Sequence, residues 1–333
     1  MTIINYYQHK RIRTAYIYIP LITGTLSVIG SGSILYSIWA NRSTKLKDPQ
    51  HRILGMMSIF DIFYSTNAAL GFLTYPAGLG VPTYGNTATC SLQGFFTQFG
   101  VAAASYNMVL SIYYYLSINR GMKKEEFAKV WEKVMHGIVV IFHLSFAIIG
   151  VSMGLYNPSL SLCYICPGPV ECHFDPDVPC RFEETFWYFV LAFSLGWILL
   201  AIVVIIVTNL LICLFVRRQE KEMEKYRTRS VEQLSEMEKK TLYARSVFVQ
   251  SMLYVGTFVL SWLLLLLMSL VSLTGVDQQW MSLFVATFTP LQGFFNAFIY
   301  ARPRYLRLKK KNKHMGFKQL IKLVFVPSTS VDD

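Results

Sequence analysis

Three polar side chains recur at helical spacing in the last apolar stretch of the chain. Gln292, Asn296 and Tyr300 stand four residues apart within the run from Trp280 to Tyr300. In a helix they share one stripe. Polar groups are costly against lipid, so this stripe should face other helices or internal water. Two interpretations stay open: each residue joins helices, or together they form a switch on a helix that ends at the basic run after it.

Asp61 is the second candidate, a carboxylate inside another apolar stretch. Placing Asp at the centre of a membrane span costs about 2.5–3.5 kcal/mol, so it needs a partner. The other ionisable residues inside the apolar stretches are His136 and His143. Neither they nor His173 and the acidic residues near it form a nucleophile–base or metal-ligand pattern. The sequence therefore predicts no enzyme, no catalytic residue and no metal centre.

Composition indicates the kind of protein that positions these residues. Of 333 residues, 53% are hydrophobic and 15% charged, which is too apolar for a soluble chain of this length. A net charge of +12 would suit nucleic acid, but the basic residues sit in short loops between long apolar stretches. That distribution is a membrane-topology signal, so we expect a multi-pass membrane protein and no nucleic acid.

Seven apolar stretches are long enough to cross a bilayer, which takes about 20 residues each. They run at about 15–39, 53–75, 90–118, 134–156, 185–216, 246–273 and 280–300. The third has the weakest hydropathy because it contains Ser and Tyr. The fold class expected is an all-α membrane protein, a seven-transmembrane helix bundle spanning residues 15–300.

The basic residues also predict the orientation of the bundle. Loops after the first, third, fifth and seventh stretches carry nearly all Lys and Arg, whereas the opposite loops contain only Arg181. This places the C-terminus in the cytoplasm and the N-terminus outside, although Lys10, Arg11 and Arg13 oppose it. Residues 1–14 are then a short extracellular N-terminus, 157–184 a Cys-rich extracellular loop, 217–243 a charged cytoplasmic loop and 301–333 a basic cytoplasmic tail. The charged loop should extend the fifth and sixth helices.

The tail has a helical pattern of its own. Pro303 suits a first helical turn. Apolar residues then recur at helical spacing among lysines, at Phe317, Leu320, Ile321, Val324 and Phe325. This pattern predicts a short amphipathic helix on inner-leaflet lipids, with a solvated basic tail as the alternative.

Cysteine usage agrees with the orientation. Five of six cysteines lie on the predicted outer side, where disulfides persist. Because five is odd, at least one outer thiol should be free or paired elsewhere. A zinc cluster in the Cys163–Cys180 loop with His173 is the alternative.

Several motifs now resemble one family in the right order. The sequence has LGMMSIFD ending at Asp61, Cys90-Ser-Leu-Gln-Gly-Phe95, Cys163-Tyr-Ile165 and Pro290-Leu-Gln-Gly-Phe-Phe-Asn296, and Asn296 to Tyr300 stands where Asn-Pro-x-x-Tyr is found. From the second helix onward the chain resembles the G-protein-coupled receptor superfamily, and within it the cyclic-AMP-receptor-like group. The chain departs from the wider superfamily at Tyr115, where an arginine is usual, and in having no proline in the sixth helix.

The resemblance implies roles for particular residues. Cys90 and Cys163 would form the disulfide joining the third helix to the outer loop, and Cys172 and Cys180 a second, local one. Asp61 and Asn296 would face each other, through water or a sodium ion or with Asp61 satisfied by its neighbours. The ligand pocket would involve Gln93, Gln98, Trp187, Tyr188, Trp262 and Trp280, and the G-protein face Tyr115, Arg120, Arg217, Arg218, Arg245 and Arg302.

The function expected is therefore that of a plasma-membrane receptor that binds an unidentified extracellular ligand. Ligand binding would bias a two-state helix bundle toward a heterotrimeric G protein. A retinal protein is excluded because residues 280–300 contain no lysine for a Schiff base. A membrane transporter or channel with a seven-helix bundle is the alternative, although it should show more buried charge or an internal repeat.

Overall fold

The computed structural model describes residues 10–77, 83–159, 161–173, 175, 177–225, 231–272, 279–312, 314–316, 319–320 and 323–324. The helices are grouped below as spans 1 to 7. They are span 1, Lys10–Ala40; span 2, Pro49–Leu70 with a 3-10 turn Gly71–Thr74; span 3, Thr87–Gly100 and Ala102–Asn119; span 4, Trp131–Met153; span 5, Phe186–Val190, a π turn Leu191–Leu195 and Gly196–Lys225; span 6, Val231–Phe258, a π turn Val259–Leu263 and Leu264–Ser272; and span 7, Gln279–Phe288 and Gln292–Lys311.

Within the described residues, five helices are long and apolar enough to cross a membrane, in spans 1, 2, 4, 5 and 6. The two helices of span 7 make a sixth crossing, bent by 46°. Span 3 has the weakest hydropathy signal because it lies in the middle of the bundle. Its second helix contacts spans 2, 4, 5 and 6, and Tyr106, Asn107 and Tyr114 on it are buried. A helix surrounded by protein does not need a lipid-facing apolar surface.

Span 6 is interrupted without a proline. A π turn at Val259–Leu263 adds a residue to the helical ladder and contains the buried Trp262. Such turns disturb the i to i−4 ladder as a proline does, and they are frequent at functional sites. The π turn thus interrupts span 6 at a level where other members of the superfamily have a proline.

Span 7 is longer than its sequence indicated. We expected it to end at Tyr300 with a new helix at Pro303, but the helix continues unbroken to Lys311. Inside a helix, Pro303 cannot donate to the carbonyl of Ile299 four residues earlier. The side-chain amide of Gln250 in span 6 donates to that carbonyl instead, at 2.7 Å. The defect is therefore satisfied by a neighbouring helix, and the prediction of a break there was wrong.

The chain after span 7 folds back on it. Residues 319–320 and 323–324 are helical, and buried Leu320 and Val324 pack with Leu308 of span 7. The other apolar residues of the predicted amphipathic helix, Phe317, Ile321 and Phe325, lie outside the described residues. Part of the apolar face thus contacts protein, which corrects the expectation that it lies on lipid alone.

The loop between spans 4 and 5 carries a small hairpin. Strands β1 (Tyr156–Pro158) and β2 (Cys163–Ile165) pair antiparallel, with Tyr156 opposite Ile165. Disulfides join Cys90 to Cys163 and Cys172 to Cys180, which confirms the predicted pairing. Disulfide sulfurs are not thiolate ligands, so the zinc alternative for this loop was wrong.

Among the five cysteines predicted to lie outside, Cys166 has a free thiol. Burial raises its pKa to about 12, so the nucleophilic thiolate is scarce at neutral pH.

The charged segment between spans 5 and 6 is helical on both sides, up to Lys225 and again from Val231.

Candidate functional site

The break in span 7 is the centre of the candidate site. The first helix of span 7 ends at Phe288 and the second begins at Gln292, with Pro290 between them. Proline has no N–H and limits the preceding residue, so the helical ladder cannot run through. Backbone groups at such a break need other partners, because unpaired buried polar groups are costly.

Side chains and backbone groups of three other spans bond to the break. The hydroxyl of Ser65 in span 2 donates to the carbonyl of Pro290 at 3.1 Å. The hydroxyl of Thr289 donates to the carbonyl of Ser261 in span 6 at 2.9 Å, and the amide of Gly293 donates to the hydroxyl of Ser27 in span 1 at 2.9 Å. The break is therefore held on three sides.

Close packing accompanies these bonds between spans 1 and 7. A Cβ atom added at Gly293 would lie 2.1 Å from the hydroxyl oxygen of Ser31, and one at Gly30 would lie 2.7 Å from the Cα of Phe294. Only glycine lets the two backbones approach this closely. The close packing of spans 1 and 7 thus explains the glycine of the Pro-Leu-Gln-Gly motif.

Gln292 opens the polar stripe and bonds to span 6. Its side-chain oxygen accepts a hydrogen bond from the indole N–H of Trp262, and both side chains are buried. The ring of Trp262 also lies beside that of Tyr64 in span 2, with centroids 5.5 Å apart. One residue of the stripe thereby connects span 7 to the π turn of span 6.

Asn296, one turn further, bonds to span 2. Its amide nitrogen donates to the carboxylate of Asp61 at 3.2 Å, and Asn296 and Asp61 are 0% and 3% exposed. The side-chain oxygen of Asn296 accepts a hydrogen bond from the hydroxyl of Thr257 in span 6, at 3.4 Å. A buried carboxylate thus has a neutral hydrogen-bond donor on the stripe, which lowers the cost of burying it.

Tyr300 completes the stripe at the basic end of the bundle. Its hydroxyl accepts a hydrogen bond from the amine of Lys45 at 3.0 Å, and the same amine donates to the Ser37 hydroxyl at 2.8 Å. The amine also lies 5.2 Å from the centroid of the Tyr300 ring, within reach of a cation–π interaction. Burial, followed by the positive charges of Arg304 and Arg307, lowers the pKa of Lys45 to about 8.

Of the four residues predicted as a polar core, Gln292, Asn296 and Tyr300 thus lie along span 7, and Asp61 faces Asn296 from span 2. The stripe bonds to spans 2 and 6 and to the loop after span 1. Sequence reasoning missed Lys45, which it used only as a topology signal, and the serines Ser27 and Ser65. Their signal was weak: a hydroxyl in an apolar helix often bonds to its own backbone.

A second polar cluster lies where spans 2, 3 and 4 reach the same end. Arg52 forms a two-pronged ion pair with Glu132, with N–O distances of 2.6 and 2.5 Å. Beside it, Lys124 pairs with Asp48, whose carboxylate also caps span 2 by accepting the amide of Gln50 at 3.0 Å. The first pair joins span 2 to span 4, and the second joins the start of span 2 to the segment between spans 3 and 4; neither was predicted.

Some of the candidate ligand residues are hydrogen-bonded within the protein itself. All hydrogen-bonding positions of the Gln93 amide are occupied by the protein. Its nitrogen donates to the carbonyls of Asn67 and Gly71 at 2.9 and 3.0 Å, and its oxygen accepts the Thr74 hydroxyl and the Cys163 amide at 2.6 and 2.7 Å. Gln93 therefore fixes the loop between spans 4 and 5 on span 3, and its role as a ligand contact stays a prediction.

The remaining candidate ligand residues differ in their burial and contacts. Gln98 is buried, donates to the carbonyl of Phe193 at 2.8 Å and accepts the Tyr164 hydroxyl at 2.6 Å, which places it beneath the β1–β2 hairpin. Trp187 is half-buried, whereas Tyr188 is 73% exposed, and their assignment to a ligand pocket stays a prediction. Trp280 lies in the first turn of span 7, and its side chain lies outside the described residues.

The predicted G-protein face is mostly open at the basic end. Arg120, Arg217, Arg218 and Arg245 are exposed, and Arg302 and Tyr115 are half-buried. Arg120 follows the last turn of span 3. Tyr115 packs against the core cluster of spans 2 to 6 instead of offering a charge there.

Comparison with known proteins agrees with this architecture. The family profile described as 7 transmembrane receptor (rhodopsin family) matches residues 30–300. No curated protein sequence matches the chain. Among solved structures, the crystal structure of squid rhodopsin is similar, with a TM-score of 0.67 and 18% identity over 96% of this chain and 86% of that chain. At that identity the likeness is one of fold, and it confirms the seven-helix bundle.

Proposed function

Since the chain belongs to the rhodopsin family of seven-transmembrane receptors, we propose that its signal passes along the polar stripe of span 7 to the basic end of the bundle. The chain is a G-protein-coupled receptor and not an enzyme. An extracellular ligand and a heterotrimeric G protein are the partners that membership implies. A transporter is not favoured by this membership.

The observation that carries the proposal is the set of contacts made by the stripe. Gln292 bonds to Trp262 in span 6, Asn296 to Asp61 in span 2, and Tyr300 to Lys45 after span 1. Because all three side chains are on the helix below the break, a change of tilt at the break would alter these contacts together. A ligand that binds better to one arrangement shifts the population toward it.

The basic end is proposed as the cytoplasmic face, and the membrane as the plasma membrane. The excess of Lys and Arg in the loops at this end supports the orientation. The exposed arginines at the ends of spans 3, 5 and 6 suit an acidic partner surface. Membership of the narrower cyclic-AMP-receptor-like group stays a prediction from the motifs.

A sodium ion beside Asp61 is left out of the mechanism. Asn296 turns its amide nitrogen toward the carboxylate and its oxygen toward Thr257. A cation needs oxygen ligands, so this arrangement serves a hydrogen bond better than a metal. The residues that would change contact during signalling are therefore Asp61 and Asn296 themselves.

The test is nucleotide exchange on a panel of purified Gα subunits, with the receptor in membranes, measured without stimulus and with extracts. We expect one Gα class to exchange faster with the receptor present. Asn296→Ala and Tyr300→Ala should abolish the stimulated exchange while surface expression persists. Tyr36→Ala is the matched control, since Tyr36 is 53% exposed on span 1.

Normal exchange in both stripe variants would refute the role of the stripe. Flux of a substrate into proteoliposomes, with no exchange on any Gα subunit, would refute the proposed partner.

A further inference from the structure

A cavity of about 220 Å³ lies at the basic end of the bundle, apart from the predicted G-protein face. None of the six residues assigned to that face lines it, and neither span 3 nor span 5 contributes to it. Its walls come from span 1 and the loop after it, the start of span 2, span 6, the extension of span 7 and the segment that folds back. The lining residues used below are Lys45, His51, Tyr300, Arg304 and Arg307.

Positive charge converges on this cavity without a matching negative charge. Lys45, Arg304 and Arg307 all line it, and none of them forms an ion pair with a carboxylate in the described part of the chain. Two acids at this end of the bundle are already paired, because Asp48 pairs with Lys124 and Glu132 with Arg52. Like charges held together are unfavourable unless an anion joins them.

The pKa of Lys45 reflects the same excess of positive charge. Burial and then the charges of Arg304 and Arg307 together lower its pKa to about 8. A bound anion would reverse the effect of the arginines by compensating their charge.

Neutral donors surround the cations. The hydroxyl of Tyr300 lies beside the amine of Lys45, and the Nδ1 atom of His51 has no hydrogen-bond partner among the described residues. Two guanidiniums, an amine and neutral hydrogen-bonding groups are the set that binds phosphate oxygens, because charge-assisted bonds to phosphate are strong and Arg can bind two oxygens at once.

The size and position of the cavity limit the ligand. At about 30 Å³ per water, 220 Å³ holds roughly seven waters, which suits one or two phosphate groups and not a helix of a partner protein. The cavity also lies where the apolar part of span 7 gives way to its basic extension, at headgroup level if the spans cross a bilayer.

We propose that this cavity binds a phosphate-bearing ligand, presented by the headgroup of an acidic phospholipid, between Lys45 on one side and Arg304 and Arg307 on the other. The bound phosphate would join the loop after span 1 to the extension of span 7. This site goes beyond coupling to a G protein and does not depend on it.

The test uses the full chain in phosphatidylcholine nanodiscs. Binding of dioctanoyl phosphatidylinositol 4,5-bisphosphate is measured by native mass spectrometry, and binding of soluble inositol trisphosphate in a parallel arm. One charge-assisted hydrogen bond contributes about 1.5–3 kcal/mol, so Arg304→Gln/Arg307→Gln should weaken lipid binding by at least ~100-fold. The matched control is Lys309→Gln/Lys310→Gln, which removes the same charge from exposed positions on the same helix. It should change binding less than ~3-fold, as expected for surface charges.

A second measurement uses the unmodified protein, in case the variant does not fold. Either ligand should protect Lys45 from acetylation, as read by peptide mass spectrometry, while exposed Lys47 stays reactive. Binding of the lipid more tightly than the soluble headgroup would support the lipid as source, and equal binding of the two would overturn that source. Equal losses in the two charge variants, or no protection of Lys45, would overturn the site itself.

Discussion

The bond between Asp61 and Asn296 gives the most demanding prediction. Asn296→Ala removes the amide that donates to the carboxylate at 3.2 Å and leaves a buried acceptor without it. Leaving a buried polar group without its hydrogen-bond partner costs about 1–3 kcal/mol, and the loss falls on the folded state. We therefore expect Asn296→Ala to lower the free energy of unfolding by about 2 kcal/mol or more, cavity cost included.

A double-mutant cycle separates the bond from the cavity. Asp61→Ala removes a polar group that is costly to bury, so it should cost less than its burial suggests. In the double variant Asp61→Ala/Asn296→Ala the loss should fall short of the sum by about 0.5–3 kcal/mol, the interaction energy of the pair. The measurement is unfolding in mixed micelles of lipid and SDS, followed by tryptophan fluorescence.

An exchanged pair sharpens the same test. Asp61→Asn/Asn296→Asp keeps one amide and one carboxylate at this place with their positions reversed. We expect it to recover at least half of the stability lost in Asn296→Ala, whereas Asn296→Asp alone should be the least stable variant because it buries two carboxylates. A coupling energy below about 0.5 kcal/mol would mean that the bond does not stabilise the bundle and that the reasoning is wrong.

Three further predictions concern other parts of the bundle. Gly94→Ala would place a Cβ atom 2.3 Å from the Tyr156 ring and should cost about 1–3 kcal/mol of stability in the same unfolding assay, less in combination with Tyr156→Ala; additive losses would contradict the clash. Lys45, with its pKa lowered to about 8, should lose its proton well below the model-compound value of about 10.4, and ¹³C-dimethyl NMR of the labelled protein should place its midpoint there, distinct from the other lysines; a midpoint near 10.4 would contradict the burial and charge argument. Glu132→Gln should lower thermal stability by about 1–3 kcal/mol because it leaves Arg52 unpaired, whereas Arg52→Met/Glu132→Leu should be closer to the original protein, and the reverse order would refute the pairing.

Much of the helical architecture could be predicted from the sequence, because long apolar stretches and turn residues are local signals. Span 3 was found despite its Ser and Tyr content, since the loop before it and the basic residues after it marked its ends. Its central position explains the composition only afterwards: Tyr106 and Tyr114 face other helices and not lipid.

The polar stripe was also local information, whereas its partners were not. Spacing of four residues placed Gln292, Asn296 and Tyr300 on one face, and family resemblance proposed Asp61 as a neighbour. The contact of Tyr300 with Lys45 joins residues 255 positions apart, and nothing in the composition of either segment specifies it. Hydropathy detects which side chains are buried and gives no information on which of them meet.

Two contacts that the sequence did not predict have a common physical cause. Gln93 was placed among the candidate ligand residues, and the structure bonds its amide to span 2 and to the loop between spans 4 and 5. The predicted end of span 7 was wrong because a side chain of another helix replaces the donor that Pro303 lacks. Both depend on tertiary contacts that local patterns do not contain.

The contact between Gln250 and the carbonyl of Ile299 makes the extension of span 7 sensitive to the place of span 6. The proline four residues later leaves this carbonyl dependent on a borrowed donor. Any rearrangement that withdraws span 6 at this level must hydrate that carbonyl, find it another donor or accept a loss of about 1–3 kcal/mol. The extension of span 7 therefore stays straight only while span 6 is close to it. A spectroscopic probe on the extension would thus report the position of span 6, to which the probe is not attached.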